Sequence, residues 1–137
     1  MKLSQIMIIA IPLFGIIAQA APAAAASLLD NKTFVADTGP KGKPAEEKGD
    51  VLTFRDGQFH SSLCDQYGYT KAPYQARSED NAIVFETETN SEKDGRLVWR
   101  GTARGNDVEG TILHYKKGVF GISNAPNEMW FKGKLKP

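Results

Sequence analysis

Apolar and polar residues alternate with a period of two along most of the chain after residue 50. In the segment VLTFRDGQFHSSL, Leu52 and Phe54 fall on one face, and Phe59 returns to that face after Asp56 and Gly57. A period of two is the spacing of a half-buried β-strand. An Asp-Gly pair between two such runs is a strong hairpin signal. The segment therefore predicts two antiparallel strands joined by a tight turn.

Two further segments repeat this design, and a single strand flanks the set on each side. PYQARSEDNAIVFETET turns at Asp80-Asn81, and LVWRGTARGNDVEGTILHYKKG turns at its GND. A first strand is predicted in SLLDNKTFVA, and a last one in EMWFKGKLK after a loop VFGISNAPN. The residues that parity predicts to face inward are Phe34, Ala36, Tyr74, Ala76, Ile83, Phe85, Thr87, Leu97, Trp99, Gly101, Ala103, Val108, Gly110, Ile112, His114, Met129, Phe131, Gly133 and Leu135.

This pattern predicts an all-β fold of about eight strands, since no segment after residue 26 sustains a helical period. Short strands joined by tight turns are typical of a barrel or a sandwich. Three inward glycines, Gly101, Gly110 and Gly133, favour a barrel. Glycine inside a strand marks a bend or a close backbone approach, which a small barrel needs in order to close. We therefore expect a single antiparallel up-and-down barrel.

One segment breaks the alternation before the first hairpin. DTGPKGKPAEEKGD, residues 37–50, consists of turn formers and charged residues and has no large apolar side chain. Such a composition predicts a mobile surface loop with nothing to bury. The alternative is a lid over whatever the barrel holds.

The first 26 residues have the layout of a bacterial secretory (Sec) signal peptide. Lys2 precedes an apolar run that ends in AQAAPAAAAS, and cleavage after Ala20 or after Ala26 fits the small-residue rule. The run is shorter than the roughly 20 residues of a membrane span. We expect residues 1–26 to be removed and 27–137 to form a periplasmic or secreted domain without a transmembrane span; a retained N-terminal anchor is the alternative.

Charge and cysteine content narrow the function classes. The chain has 17 basic and 16 acidic residues, and removal of the leader takes away one lysine and no acid. A balanced surface argues against nucleic acid and against an anionic membrane as partners, because both require a basic patch. The single cysteine cannot form an internal disulfide, so packing alone must hold this exported domain together.

Four features together indicate a known class of barrel: the predicted signal peptide, the opening LLDNKTFV, the pair VLTFRDGQFHSS, and RLVWRGTARGNDVEGTIL with its W-x-G-T and G-x-x-x-x-G-T spacing. In these features the chain resembles the lipocalin-like, calycin-type small barrels of bacterial envelopes. The resemblance covers most of residues 28–135 and is architectural, because the N-terminal G-x-W signature of true lipocalins is absent. The resemblance implies a cup for one small apolar molecule, or a scaffold whose loops bind a partner.

The stretch SSLCDQYGYTKAPY contains the only cysteine of the chain, Cys64, shortly after His60. A thiolate nucleophile needs a base within hydrogen-bond reach. In a strand these two residues lie about 13 Å apart, and nothing in the sequence brings His114 near. Cys64 is interpreted as a packed residue at a barrel end, with an intermolecular disulfide, a redox-sensitive thiol or a reactive thiol as alternatives. Metal-ligand spacing is missing, so we predict no metal and no cofactor; Glu86, Glu88 and Glu109 are predicted to face solvent.

The leading hypothesis is a non-enzymatic barrel that binds a small apolar ligand or an envelope protein. A filled barrel would instead favour an envelope interaction or inhibitor module, with the outward Trp130 as a candidate patch, and a thiol-dependent enzyme using Cys64 is the second alternative. The sequence does not determine an oligomeric state. Candidate ligand-binding residues are the inward aromatic and aliphatic side chains and the two tyrosines of the long connection: Phe54, Phe59, Tyr67, Tyr69, Tyr74, Phe85, Trp99, Ile112 and Phe131.

Overall fold

A computed structural model describes residues 27–137, and the predicted leader, residues 1–26, lies outside the described residues. The strands are β1 (Lys32–Pro40), β2 (Glu47–Arg55), β3 (Gln58–Ser61), β4 (Ala72–Glu79), β5 (Ala82–Ser91), β6 (Gly95–Arg104), β7 (Asp107–Gly118), β8 (Gly121–Ile122) and β9 (Asn127–Leu135). A 3-10 helix, Leu63–Tyr67, follows β3. Within residues 27–137 no helix is long and apolar enough to cross a membrane.

Eight of the strands form a closed antiparallel barrel. Each strand from β1 to β7 pairs with the next one in the chain, β7 pairs with β9, and β9 pairs back to β1. The two-residue strand β8 pairs with the end of β7 and is no part of the ring. The predicted up-and-down barrel is confirmed, and its architecture is consistent with that of lipocalin-like barrels.

The predicted tight turns are present at one end of the barrel. Asp56 and Gly57 have φ angles of 52° and 73°, and Asp80 and Asn81 have φ angles of 46° and 63°. Two successive residues with positive φ are the requirement of the type I′ turn, whose twist matches that of the flanking strands. The local chemistry of these dipeptides therefore sets the hairpin registers.

Aromatic side chains fill the middle of the barrel. Phe54 lies at the centre, with its ring centroid 4.9 Å from that of Tyr74, 5.0 Å from Phe85 and 5.2 Å from Phe59. The rings meet mostly edge to face or tilted, which are the favourable arrangements for aromatic pairs. The fully buried large side chains are Trp99, Tyr74, Phe34, Phe54, Phe59, Phe85, Phe131, Leu29, Leu52, Val108 and Asp50.

The inward glycines allow close contact between strands, as their positions predicted. Gly101 pairs with Gly110 across β6 and β7, and a Cβ on Gly110 would lie 2.0 Å from the carbonyl oxygen of Arg100. A Cβ on Gly101 would lie 2.6 Å from ring atoms of Phe85 and of Phe131. Neither position has room for a side chain. Strands β6 and β7 can therefore approach this closely, and the barrel can close, only because both residues are glycine.

The prediction of a loop over residues 37–50 was wrong at both ends. Strand β1 continues to Pro40 through its pairing with β9, and β2 begins at Glu47, so residues 41–46 alone connect them. Backbone hydrogen bonds hold these polar residues in the sheet, which side-chain hydrophobicity cannot reveal. Asp50, in a segment expected to bury nothing, is 2% exposed.

Candidate functional site: the cavity at the open end of the barrel

The two ends of the barrel differ in how they are covered. The end with the two-residue turns is closed by Leu29, which is fully buried. The Tyr74 hydroxyl donates to Asp30 Oδ1 at 2.6 Å and accepts from the Leu29 N–H at 3.2 Å. The backbone N–H of Gly57 also donates to the Asp30 carboxylate, at 3.1 Å. Burial, together with Asp30, raises the pKa of Tyr74. This end is a hydrogen-bonded plug.

The other end carries the long connections and contains a half-enclosed cavity of about 300 Å³. The longer connections between β1 and β2, β3 and β4, β5 and β6, and β7 and β9 all lie at this end. The first three of them contribute to the wall, together with β1, β2, β6, β7 and β9. The lining residues are Thr38, Gly39, Pro40, Glu46, Glu47, Asp50, Cys64, Tyr67, Tyr69, Asp94, Leu97, Trp99, Ile112, His114, Lys116 and Met129.

The apolar part of the cavity lies against the aromatic core. Leu97 and Trp99 come from β6, Ile112 from β7, and Met129 from the start of β9. Alternation along β6 and β7 turns these side chains inward. Trp99 is 1% exposed, and its Nε1–H has no hydrogen-bond partner among residues 27–137. A buried indole N–H normally finds a partner, so this orphaned donor stands out.

The connection between β3 and β4 forms one wall of the cavity. Its 3-10 helix, Leu63–Tyr67, ends at Gly68, whose φ of 83° is the left-handed conformation that favours glycine. Three hydrogen bonds attach this wall to the end of β5 and the β5–β6 turn. The Tyr69 hydroxyl donates to Asp94 Oδ2 at 2.7 Å, the Ser91 hydroxyl donates to the Tyr67 carbonyl at 2.5 Å, and Lys93 Nζ donates to the Gln66 carbonyl at 2.9 Å.

Carboxylates supply most of the charged lining. Asp94 Oδ2 lies 3.1 Å from Nε2 of His114, which the inward parity of β7 already placed on this face. Glu47 accepts a hydrogen bond of 3.3 Å from the Tyr67 hydroxyl. Asp50 accepts hydrogen bonds from the Ser61 hydroxyl at 2.6 Å and from the Leu63 N–H at 3.0 Å. These contacts hold the carboxylates in place around the cavity.

The cysteine thiol lies in this wall but in an unreactive environment. Burial, with smaller contributions from Asp50, Glu47 and Asp65, raises the pKa of Cys64 to about 12. The nucleophile of thiol chemistry is the thiolate, so a raised pKa works against it. His60 lies beside Asp65, with 2.6 Å between Nε2 and Oδ1, and the partner of His114 is Asp94.

The predicted ligand-binding residues lie in two groups. Tyr67, Tyr69, Trp99 and Ile112 line the cavity. The remaining five are packed in the core beneath it: Phe54, Phe59, Tyr74, Phe85 and Phe131. Sequence reasoning missed Asp50 and Asp94 as lining residues, because a lone aspartate in a turn-rich segment carries no signal of burial. The alternation of residues predicted that Leu97 and His114 face inward, but neither was named as a candidate ligand-binding residue.

The outward Trp130 packs on the barrel wall. Its Nε1–H donates to the Lys43 carbonyl at 2.9 Å, and a Cβ on Gly39 would lie 3.0 Å from its ring. The side chain therefore attaches the β1–β2 connection to the rim of the open end. The most exposed apolar side chains of the described chain lie at the β7–β8 tip, where Val119 is 96% exposed and Phe120 is fully exposed.

Among residues 27–137, no three side chains of the histidine, cysteine, aspartate and glutamate types come together as a metal site. Comparison of the chain with models of known protein families, with curated proteins and with solved structures finds no match.

Proposed function

We propose that this protein is an exported, non-enzymatic binding protein that holds one small apolar molecule in the cavity at the open end of its barrel. The observation that carries the proposal is the contrast between the two halves of the interior. Aromatic rings pack the middle of the barrel, whereas about 300 Å³ above Trp99 stays open. The leader-like N-terminal segment supports export to the bacterial periplasm or beyond it.

The dimensions of the cavity favour a small ligand. Ligand sites usually occupy roughly 300–1,000 Å³ and combine apolar walls with a few placed polar groups. This cavity lies at the lower end of that range and has that composition. The ligand would lie on Leu97, Trp99 and Ile112, with the tyrosines of the β3–β4 connection at its side.

The environment of Cys64 supports a binding role over thiol chemistry. A catalytic thiol is expected to have a lowered pKa and a base within hydrogen-bond reach. Here burial raises the pKa of the thiol, and its nearest charged groups are carboxylates. These features favour the proposed binding role over a thiol-dependent enzyme.

A second candidate is an envelope interaction module that binds through the β7–β8 tip. Val119 and Phe120 are exposed far more than apolar side chains usually are, and exposed apolar groups mark contact sites when they cluster. Under this hypothesis the Phe120→Ser variant would lose a partner in a pull-down from envelope extract, and the cavity would have no role.

The binding proposal is tested with a matched pair of variants in β7. Ile112→Phe extends a side chain into the cavity, whereas Thr111→Phe adds the same ring on the outer, exposed face of the strand. We expect an apolar fluorescent probe to bind the wild type and Thr111→Phe equally and to lose at least tenfold in affinity for Ile112→Phe. A copurified molecule seen by native mass spectrometry of the wild type would identify the ligand. Equal affinity for all three proteins, or no binding to any, would refute the proposal.

A further inference from the structure

We infer that the cavity selects an organic cation, a molecule with an apolar body, a positively charged head and a hydrogen-bond acceptor between them. This inference rests on the proposed function and names its ligand class. It follows from the charge of the lining, from a buried carboxylate without a cationic partner, and from the orphaned donor on Trp99.

The charged groups around the cavity are mostly negative. Four carboxylates line it, those of Glu46, Glu47, Asp50 and Asp94, against the ammonium group of Lys116 and the imidazole of His114, which lies 3.1 Å from Asp94. Lys116 is exposed at the rim, whereas Glu47 and Asp94 are half-buried and Asp50 is buried. The deeper part of the cavity is therefore more negative than its edge. Electrostatic complementarity of this kind favours a cation over a neutral or anionic ligand.

Asp50 is the strongest single indication. Its carboxylate is 2% exposed and accepts hydrogen bonds from Ser61, Ser62 and the Leu63 N–H, all of them uncharged donors. No lysine, arginine or histidine of residues 27–137 forms an ion pair with it. Buried carboxylates are usually paired with a cation. A cationic head in the cavity would supply that missing charge.

Aromatic groups and an unpaired donor describe the rest of the ligand. Tyr67, Tyr69 and Trp99 line the same cavity, and the faces of such rings attract quaternary ammonium groups. The Nε1–H of Trp99 has no acceptor within residues 27–137, although the side chain is 1% exposed. A carbonyl oxygen in the body of the ligand would satisfy it. This observation is independent of the carboxylates.

The raised pKa values of the lining residues agree with a negative cavity. Glu47 is the largest cause for Tyr67, with Asp94 adding to it, and burial followed by Asp94 raises the pKa of Tyr69. The negative charges of carboxylates on both sides of the opening therefore both affect the interior of the cavity.

The test uses two esters of equal shape. Hexanoylcholine carries a trimethylammonium head, and its neutral isostere carries a tert-butyl group in the same place. Binding is followed by the fluorescence of Trp99 in the Trp130→Phe background. We expect the cation to bind wild type at least about tenfold more tightly than the isostere, since a cation held by carboxylates and ring faces gains about that factor.

Variants decide where the preference comes from. Asp50→Asn and Glu47→Gln should each lower the cation preference at least threefold and leave the affinity for the isostere unchanged. Glu86→Gln, on the outer wall, is the matched control and should change neither. Glu47 accepts one long hydrogen bond near the rim, so its variant remains informative if Asp50→Asn unfolds.

The failures are distinguishable. Equal binding of both esters would overturn the cation inference and leave the binding function in place. A preference that survives both carboxylate variants would also overturn it. If neither ester binds, the inference and the proposed function both fail.

Discussion

Replacement of Gly110 by alanine tests the closure of the barrel directly. The new Cβ would lie 2.0 Å from the Arg100 carbonyl oxygen, 2.6 Å from the Gly101 Cα and 2.8 Å from a ring carbon of Phe131. Two of these three atoms belong to the backbone of the paired strand, which cannot rotate away as a side chain can. Overpacking in a core typically destabilises by about 1–3 kcal/mol and more when the backbone must move. We expect Gly110→Ala to lower the free energy of unfolding by about 3 kcal/mol or more.

Gly118→Ala is the matched control in the same strand. Its nearest neighbour would be the Gly121 carbonyl oxygen at 3.8 Å, an ordinary contact. Without a clash, alanine in place of glycine stabilises by at most about 1 kcal/mol, since it restricts the unfolded chain. The steric effect should therefore dominate only at Gly110. Urea unfolding followed by tryptophan fluorescence measures both variants, and a loss of about 3 kcal/mol moves the midpoint by roughly 1–3 M. Equal midpoints for the two variants would refute the close pairing of β6 with β7.

Three further outcomes follow from the core and the barrel ends. Phe54→Ala should lose about 3–5 kcal/mol in urea unfolding, because four aromatic rings pack on that side chain; Val35→Ala, half exposed on the outer face, should change little. Tyr74→Phe should lower the free energy of unfolding by about 1–2 kcal/mol, since its hydroxyl binds Asp30 and the Leu29 N–H. A loss below about 0.5 kcal/mol in the same assay, roughly the scatter of neutral substitutions, would contradict the hydrogen-bonded plug. Cys64 is partly buried, and its pKa rises from 9.0 to about 12, so a maleimide at pH 8 should label it much more slowly in the folded protein than after unfolding. Because the folded pKa is the higher one, stability should fall as the pH rises from 9 towards 12, and less in Cys64→Ala. Equal labelling rates before and after unfolding would contradict this environment.

The sequence was sufficient to predict features that depend on one residue type at one position or on near neighbours in the chain. The dipeptides Asp56-Gly57 and Asp80-Asn81 determine turns because glycine, asparagine and aspartate tolerate positive φ better than other residues. The period of two predicts which side chains face inward. The inward glycines likewise predict a close approach of neighbouring strands, which the structure has at Gly101 and Gly110.

The strand character of residues 37–40 and 47–50 was not accessible in this way. It arises from hydrogen bonds to β9 and within the first hairpin, between residues far apart in the chain. Strand propensity describes a residue in isolation, whereas a strand in a barrel wall is stabilised by hydrogen bonds to the strands on either side. Polar turn-forming residues can therefore be held in a strand.

By itself, the sequence of this protein determined an all-β meander, its turns and its inward faces, because these depend on contacts between near neighbours. Only the tertiary structure decided which inward residues fill the barrel and which leave a cavity. It also brought Asp50, Asp94 and Trp99 to the wall of one cavity and partly buried Cys64. Packing and electrostatics join residues from different strands, and the distances between those residues exist only once the sheet has closed on itself.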